Sequence, residues 1–299
     1  MENEKRTQSF LTITLCYFAA AIMGLWVFGM VDAQPWLKLL IADLAATFFI
    51  WLASLVLDNA SVYDPYWSVQ PPIILGLALV FLGEFKIGPI LLVFVVFFWG
   101  ARLSINWMVT FHGLHKQDWR YDQLKEQSKG LFPLVNLFGI QILPTLIVYA
   151  CLLPGFYYVV RSGGMNLLTV IGLSMAFCGA ILEMMADYQM QKFRQERRSR
   201  SELLRSGVWR RSRHPNYLGE ITVWWGVYSV MFSVYPDLWY LGFGALANTC
   251  LFLFISIPLA ENHLAEYKEG YKEYIQETPM LIPFPKRDNP IDREVKRSA

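Results

Sequence analysis

The sequence predicts an all-α, polytopic transmembrane bundle of about seven to ten helices, and three observations lead there. Of the 299 residues, 55% are hydrophobic and only 17% charged, whereas a soluble domain carries about 25% charged residues. Apolar stretches recur at membrane-spanning length, about 20 residues each. Those stretches are continuous rather than alternating with period two, which favours helices over a transmembrane barrel.

In chain order, spans are expected at about 10 to 31 and 36 to 57, a shorter one at about 71 to 83, then at about 87 to 109, 134 to 160, 165 to 186, 219 to 235 and 237 to 259. The first follows Lys5 and Arg6, as a signal peptide would, but runs too long and lacks a small-residue cleavage site, so it is expected as a retained helix. Cys16, Cys151, Cys178 and Cys250 fall inside apolar spans without CxxC or Cys/His spacing and are expected as small packing residues. With no internal repeat or domain-separating linker, a single membrane domain over 1–299 is expected, with about 1–130 on the substrate side and about 165–290 as the cofactor-binding half.

Eight spans place the loops at 58 to 70, 110 to 133 and 187 to 218 on the side of both termini. Segment 187 to 213 holds nine basic residues against Asp187, Glu196 and Glu202. The opposite loops contribute Lys86 and Arg161 alone, so the positive-inside rule puts both termini and the basic loops in the cytoplasm. The total charge of +2 hides this asymmetry. A basic face also meets anionic lipid, but here arginines interleave with Asn, Ser, His and Tyr, a mixture suited to phosphate and ribose.

Four polar constellations stand out. Glu183 and Asp187, four residues apart, share a helix face with Gln191 and Arg194, which reads either as a helix end leaving the membrane or as a ligand-binding stripe. The run from Arg211 through Arg213, His214, Pro215, Asn216 and Tyr217 to Glu220 opens an apolar segment. Proline at a first helical position and the exposed amides of the helix start suit a phosphate, with His214 near the N-cap and Glu220 available to ribose, a carboxamide or Arg213. After the last span, His263 and Tyr267 lie at i and i+4 in a pattern leading to Leu281-Ile-Pro-Phe284, which also fits an interfacial helix with snorkelling tyrosines. The fourth, Asp58 to Ser68, contains Tyr63, Asp64, Tyr66 and Trp67, and prolines 65, 71 and 72 are expected to break any helix there and bend the loop into the bundle. A tyrosine held by a carboxylate suits polarisation of a substrate carbonyl. His112 and His115 lie at i and i+3 without a carboxylate companion, so no metal is expected.

The YDPYWS segment, the stripe through Glu183, Asp187 and Arg194, the RSRHPNYLGE run, His263, Tyr267 and the LIPF tail together resemble the steroid 5-alpha-reductase superfamily of membrane oxidoreductases, over most of the chain. The resemblance implies a helix bundle with an NADPH pocket open to the cytosol and a substrate entering from lipid. It implies that Asp187, Arg194, Asn216, Glu220, His263 and Tyr267 bind cofactor, with Glu183, Arg211, Arg213, His214 and Tyr217 beside them. The steroid enzymes carry Asn where this chain has Glu183, and their substrate-polarising pair has no secure counterpart; Asp64 and Tyr66, with Tyr63, are expected in that role. Hydride transfer to an enone-type lipid is the implied reaction, and no GxGxxG follows a strand to suggest a Rossmann domain.

A second class shares part of this pattern. Membrane methyltransferases of the isoprenylcysteine carboxyl type also show an RHPxYxG run and a glutamate-led tail, and use S-adenosylmethionine. Expected partners are bilayer lipids and a lipophilic substrate, with no nucleic acid; a monomer is compatible with the sequence, and the membrane is expected to be a bacterial inner membrane or the endoplasmic reticulum.

Overall fold

A computed structural model describes residues 2–283, and among these every regular element is a helix. The Phe284 expected at the end of the tail motif lies outside the described residues. In chain order the structure runs α1 (Glu2–Met30), α2 (Pro35–Val56), α3 (Tyr66–Phe81), α4 (Ile87–Thr110), α5 (Trp119–Ser128), α6 (Phe132–Val135) and α7 (Leu143–Val160). It continues through α8 (Leu167–Glu196), α9 (Pro215–Phe232), α10 (Phe243–Leu251), α11 (Ile257–Tyr267) and α12 (Tyr271–Glu277). Wider π-helical turns, Asn136–Ile142 and Phe252–Ser256, join α6 to α7 and α10 to α11 into continuous spans.

All eight expected spans coincide with helices, and six helices are long and apolar enough to cross a membrane. The other two differ for physical reasons. With 16 residues, α3 spans roughly 24 Å at 1.5 Å per residue, short of the hydrocarbon thickness, and α9 opens on the polar run ending at Glu220. Both pack one face into the main core, α3 through Leu75 and Ala78 and α9 through Val223, Trp224 and Val227. That core lies where α3, α4, α7, α8, α9 and α10 meet, around Trp99 and Trp224 at a centroid distance of 4.9 Å and 72°. A second cluster joins α1 and α2 to Val62, Tyr63 and Tyr66. Leu11, Leu15, Phe18, Ile22 and Leu25 of α1 are exposed, as residues facing lipid are.

The prolines at 71 and 72 do not break α3; they lie inside it. Proline removes a backbone donor and crowds the preceding turn, and here the space is used: Gly100 of α4 faces the Ser68 carbonyl and Pro72 ring so closely that a Cβ would sit 2.4 and 2.5 Å from them. The expected bend of the preceding loop does occur. Asn59 accepts a hydrogen bond from the Ser61 amide at 2.8 Å and caps a short 3-10 turn, Ala60–Tyr63, whose four residues are buried.

The closest helix pair is α8 with α9. Each carries two glycines seven residues apart, Gly172 and Gly179 on one and Gly219 and Gly226 on the other. This heptad spacing keeps a small-residue seam facing the partner helix and allows backbone contact, the main route to helix association in lipid. A Cβ on Gly179 would lie 2.8 Å from the Gly219 carbonyl oxygen, and one on Gly226 would lie 2.5 Å from the Ala176 amide nitrogen. The seam fixes the axial register of Glu183 against Gly219 and Glu220 and thereby positions the polar interior. Gly226→Ala is expected to destabilise the folded protein by about 1–3 kcal/mol through overpacking, measured as a lowered midpoint of thermal or denaturant unfolding in detergent; an unchanged midpoint would contradict the seam.

Candidate functional site

Polar residues from five separate stretches converge at one end of the bundle. The ends of α4 and α8, the starts of α5 and α9, and α11–α12 enclose a cavity of about 970 Å³. Its wall includes Asp187, Met190, Gln191, Arg194 and Arg197 from the α8 region, Arg213, His214, Asn216 and Tyr217 around the α9 start, and His263, Tyr267 and Tyr271 further on. Asp187, Arg194, Arg213, His214, Asn216, Tyr217, His263 and Tyr267 are therefore brought together, as the sequence predicts.

Three other predicted residues lie elsewhere. Arg211 is exposed and is absent from the cavity wall: it ends the short 3-10 turn Gly207–Arg210, one residue before the chain turns inward. Glu183 and Glu220 are buried behind the wall. Glu220 does not orient Arg213; its two carboxylate oxygens accept the indole N–H groups of Trp99 and Trp224, each at 2.7 Å. Glu261 takes that role, accepting from Arg213 Nε at 2.7 Å and lying 2.9 Å from His214 Nε2.

His214 occupies the N-cap of α9 with Pro215 at its first position, as expected, but its side chain makes no cap bond. Instead the segment is stitched to the chain after α12. The Arg213 and His214 amides donate to the Pro279 and Met280 carbonyls at 2.9 and 3.2 Å, and Arg213 Nη1 reaches the Ile275 and Thr278 carbonyls at 3.0 and 2.6 Å. Arg213 thus spends most of its donors on the fold. Gly270, in the left-handed region at φ 66°, makes the turn that sends α12 back toward this contact.

The residue that sequence reasoning missed is Arg102. It sits in α4 with its side chain 6% exposed, Nη1 donating to Asp187 Oδ2 at 3.0 Å and Nη2 in close ionic contact with Glu183 Oε2. A lone arginine inside an otherwise apolar span is itself a signal, because an intramembrane charge needs a partner; Glu183 and Asp187 are that partner. Asp118, Trp119 and Arg120 were also missed. Asp118 caps α5 and holds the Arg120 guanidinium through bonds of 2.9 and 2.8 Å, and Trp119 stacks on His263 at 3.8 Å and 15°. Burial pushes the Asp118 carboxyl up, but its hydrogen bonds and ion pair with Arg120 outweigh this and hold it below the ordinary carboxylate range.

A second cavity of about 590 Å³ shares Asn106, Thr110, Asp118, Arg120 and Leu259 with the first and extends among Trp67, Ile140, Val148, Leu251 and Phe252. Tyr63 and Asp64 line it, but Tyr66 does not. Tyr66 turns to α2, donating to Asp43 Oδ1 at 2.8 Å while Gln70 donates to Oδ2 at 2.9 Å. A buried carboxylate needs donors on both oxygens, and Tyr66 supplies one. The Tyr63 phenol pairs with Thr145 at 2.8 Å, and Asp64 Oδ1 accepts from Tyr121 at 2.8 Å. Burial pushes the Asp64 carboxyl up to about 7, against the Tyr121 bond. Both cavities draw on both halves of the chain, because α4 and the loop to α5 run between them.

The profile of a family described as "Protein of unknown function (DUF1295)" matches residues 50–278. The chain is similar to an uncharacterised protein of Schizosaccharomyces pombe, 26% identical over 207 residues covering 60% of this chain; the match spans 59% of the length of that relative. No solved structure matches. Removing Arg102 while leaving its two carboxylates buried should cost about 3–5 kcal/mol. Arg102→Met is therefore expected to lower the unfolding midpoint sharply and Arg102→Met with Glu183→Gln to recover part of the loss; a single variant as stable as the parent would refute the pairing.

Proposed function

The chain belongs to the DUF1295 family, and we propose from its site that it is a membrane reductase that uses NADPH to saturate the C=C bond of an enone-type lipid, a member of the steroid 5-alpha-reductase superfamily. One observation carries this reading. Arg194, Arg197 and Arg200 line the larger cavity and form no ion pair among the described residues. Unpaired guanidinium groups around a concave wall are suited to phosphate oxygens, which they grip in a bidentate fork.

The other wall residues fit the same cofactor. Asn216 presents a buried Oδ1 without a hydrogen-bond partner, an acceptor for an amide or hydroxyl of the nucleotide. The Trp119–His263 stack and Tyr267 provide flat surfaces for a ring. S-adenosylmethionine, the cofactor of the rival methyltransferase reading, has no phosphate and offers one carboxylate, which leaves most of three unpaired arginines without an anionic partner. The excess of basic residues around this cavity supports a cytoplasmic position for it, where NADPH is found.

When bound, a reduced nicotinamide supplies a hydride to the β-carbon of an enone. The smaller cavity meets the larger at Asn106, Thr110, Asp118 and Arg120, so the reacting carbon belongs near that shared wall. As the β-carbon gains the hydride, electron density moves onto the carbonyl oxygen, and a proton donor there stabilises it. Asp64 fills that role: it lines the smaller cavity, Tyr121 donates to its Oδ1, and burial raises its pKa to about 7, so the carboxyl retains a proton near neutrality. As the enol returns to the ketone, its hydroxyl proton goes back to Asp64 and the α-carbon takes a proton originating from solvent, so the net addition is one hydride and one proton. The apolar remainder of the cavity, Ile140, Val148 and Phe252 among others, excludes water from the hydride.

Ligand binding to the purified protein in mild detergent tests the cofactor. A ligand at 100 times its dissociation constant stabilises the folded state by about 2.7 kcal/mol. NADPH is expected to raise the melting temperature; a response to S-adenosylmethionine with none to NADPH would falsify the reductase assignment. Arg194→Ala should weaken NADPH by roughly tenfold or more, the scale of one charge-assisted hydrogen bond, and more than it weakens NADH if the arginine holds the additional phosphate; equal losses would remove that role.

Asp64 gives a pH signature. Its folded pKa of about 7 lies above the ordinary 3.8, so its proton favours folding below the ordinary value and that contribution is lost as pH rises through about 7. Reduction is expected to decline over the same upper limb as the donor form disappears. Asp64→Asn should abolish both dependences and slow turnover by about 10²-fold or more; a variant with the parent's rate and pH profile would remove Asp64 from the chemistry.

A further inference from the structure

Several buried polar groups of the smaller cavity have partners: Tyr63 is paired with Thr145, Asp64 with Tyr121, Glu220 with two indoles and Asn106 with Gln191. Among the described residues that line it, Asn248, on α10, is the one with a fully buried side-chain polar atom left unpartnered. It lines this cavity, is only 4% exposed, and its amide nitrogen is buried without a hydrogen-bond partner. An unmet amide in apolar surroundings costs free energy that a packed leucine would not, and such groups in a folded protein call for an external partner.

We propose that Asn248 is a specificity-determining anchor for a ligand in the smaller cavity, and that the ligand is an apolar molecule carrying a neutral hydrogen-bond acceptor such as a ketone oxygen. The neutral character follows from the apolar part of the lining, Leu251, Phe252, Val148 and Ile147, where a charged headgroup would cost free energy that a neutral acceptor does not. The charged residues that also line the cavity are largely committed or lie elsewhere on it: Arg120 is held by Asp118, Glu220 by two indoles, and Lys116 belongs to the loop between α4 and α5. An amide also discriminates by absence: a ligand lacking the oxygen leaves the nitrogen unpaired, so it is rejected more strongly than a missing contact alone would predict. Asn248 belongs to the α10 wall, while Asp64 lies in the loop before α3, so this anchor is separate from the proton donor. The proposal rests on the reductase reading and deepens it by naming the residue that selects for the substrate's oxygen.

The test measures binding without any nicotinamide, so its failure and that of the reductase reading are distinguishable. The full-length protein in lipid nanodiscs is melted at increasing membrane content of methyl undecyl ketone or of tridecane, which match in length but differ in the oxygen. The parent is expected to bind the ketone about tenfold more tightly than the hydrocarbon, the scale of one buried hydrogen bond, and Asn248→Leu to bind the two alike. Without probe, Asn248→Leu should melt no lower than the parent, since no internal bond is lost. Equal binding of the two probes by the parent, a retained ketone preference in Asn248→Leu, or a marked loss of stability in that variant would each overturn the proposal. Asn248→Ser, smaller and polar, serves if the leucine variant does not fold: it should lose most of the preference, and a full preference would count against the anchor.

Discussion

The ionic contact of Arg102 with Glu183 and Asp187 is the constraint around which the polar interior is arranged. An arginine in the middle of α4 is tolerable in a bilayer only if its charge is met from a neighbouring helix, and α8 meets it with two carboxylates one turn apart. Because Asp187 also lines the larger cavity and Glu183 lies against Gly219, the same cluster sets the rotation of α8, the depth of α9 and the inner wall of the cavity. The glycine seam makes this possible. Without backbone approach of α8 to α9, Glu183 and Glu220 could not share one interior with Trp99 and Trp224 while α4 still reached them.

This arrangement separates two environments of opposite character. On one side lie unpaired arginines and polar ring systems; on the other a cavity with a largely apolar far wall, in which Asn248 carries a buried, unpartnered amide nitrogen. The boundary is built by Asn106, Thr110, Asp118 and Arg120, residues at the end of α4 and in the following loop. A charged, water-soluble molecule and a hydrophobic one can therefore meet across a thin wall without either being fully desolvated by the other's surroundings.

Much of this was legible in the sequence, for reasons that can be traced. Span-length hydropathy found the helices because the bilayer imposes a length, and the clustering of Arg213, His214 and Asn216 beside an apolar segment marked the larger cavity because polar groups at such a boundary need partners. Pairings between distant segments were not legible. Nothing local to Arg102 states that Glu183 is opposite it, nothing near Arg213 points to Glu261, and Tyr66 reads as a cavity residue until Asp43 is seen to claim it. Asn248 carries no motif at all; its significance is that its neighbours leave it unpaired, which only packing reveals. The prolines of α3 were misjudged because local propensity assumes an ordinary helix surface, and Gly100 removes the side chain that would have conflicted with them.

The stitching of the α9 entry to residues near Met280 has a consequence for assembly. Arg213 and His214 leave the ribosome some sixty-odd residues before the carbonyls they bind, and chains grow at about 5–20 residues per second. For several seconds the nascent protein holds its basic segment with Arg213 uncompensated and the cavity open on its last side. Closure of that wall waits for the residues after α12, so the helices can be inserted and paired before the molecule is able to retain a polar ligand.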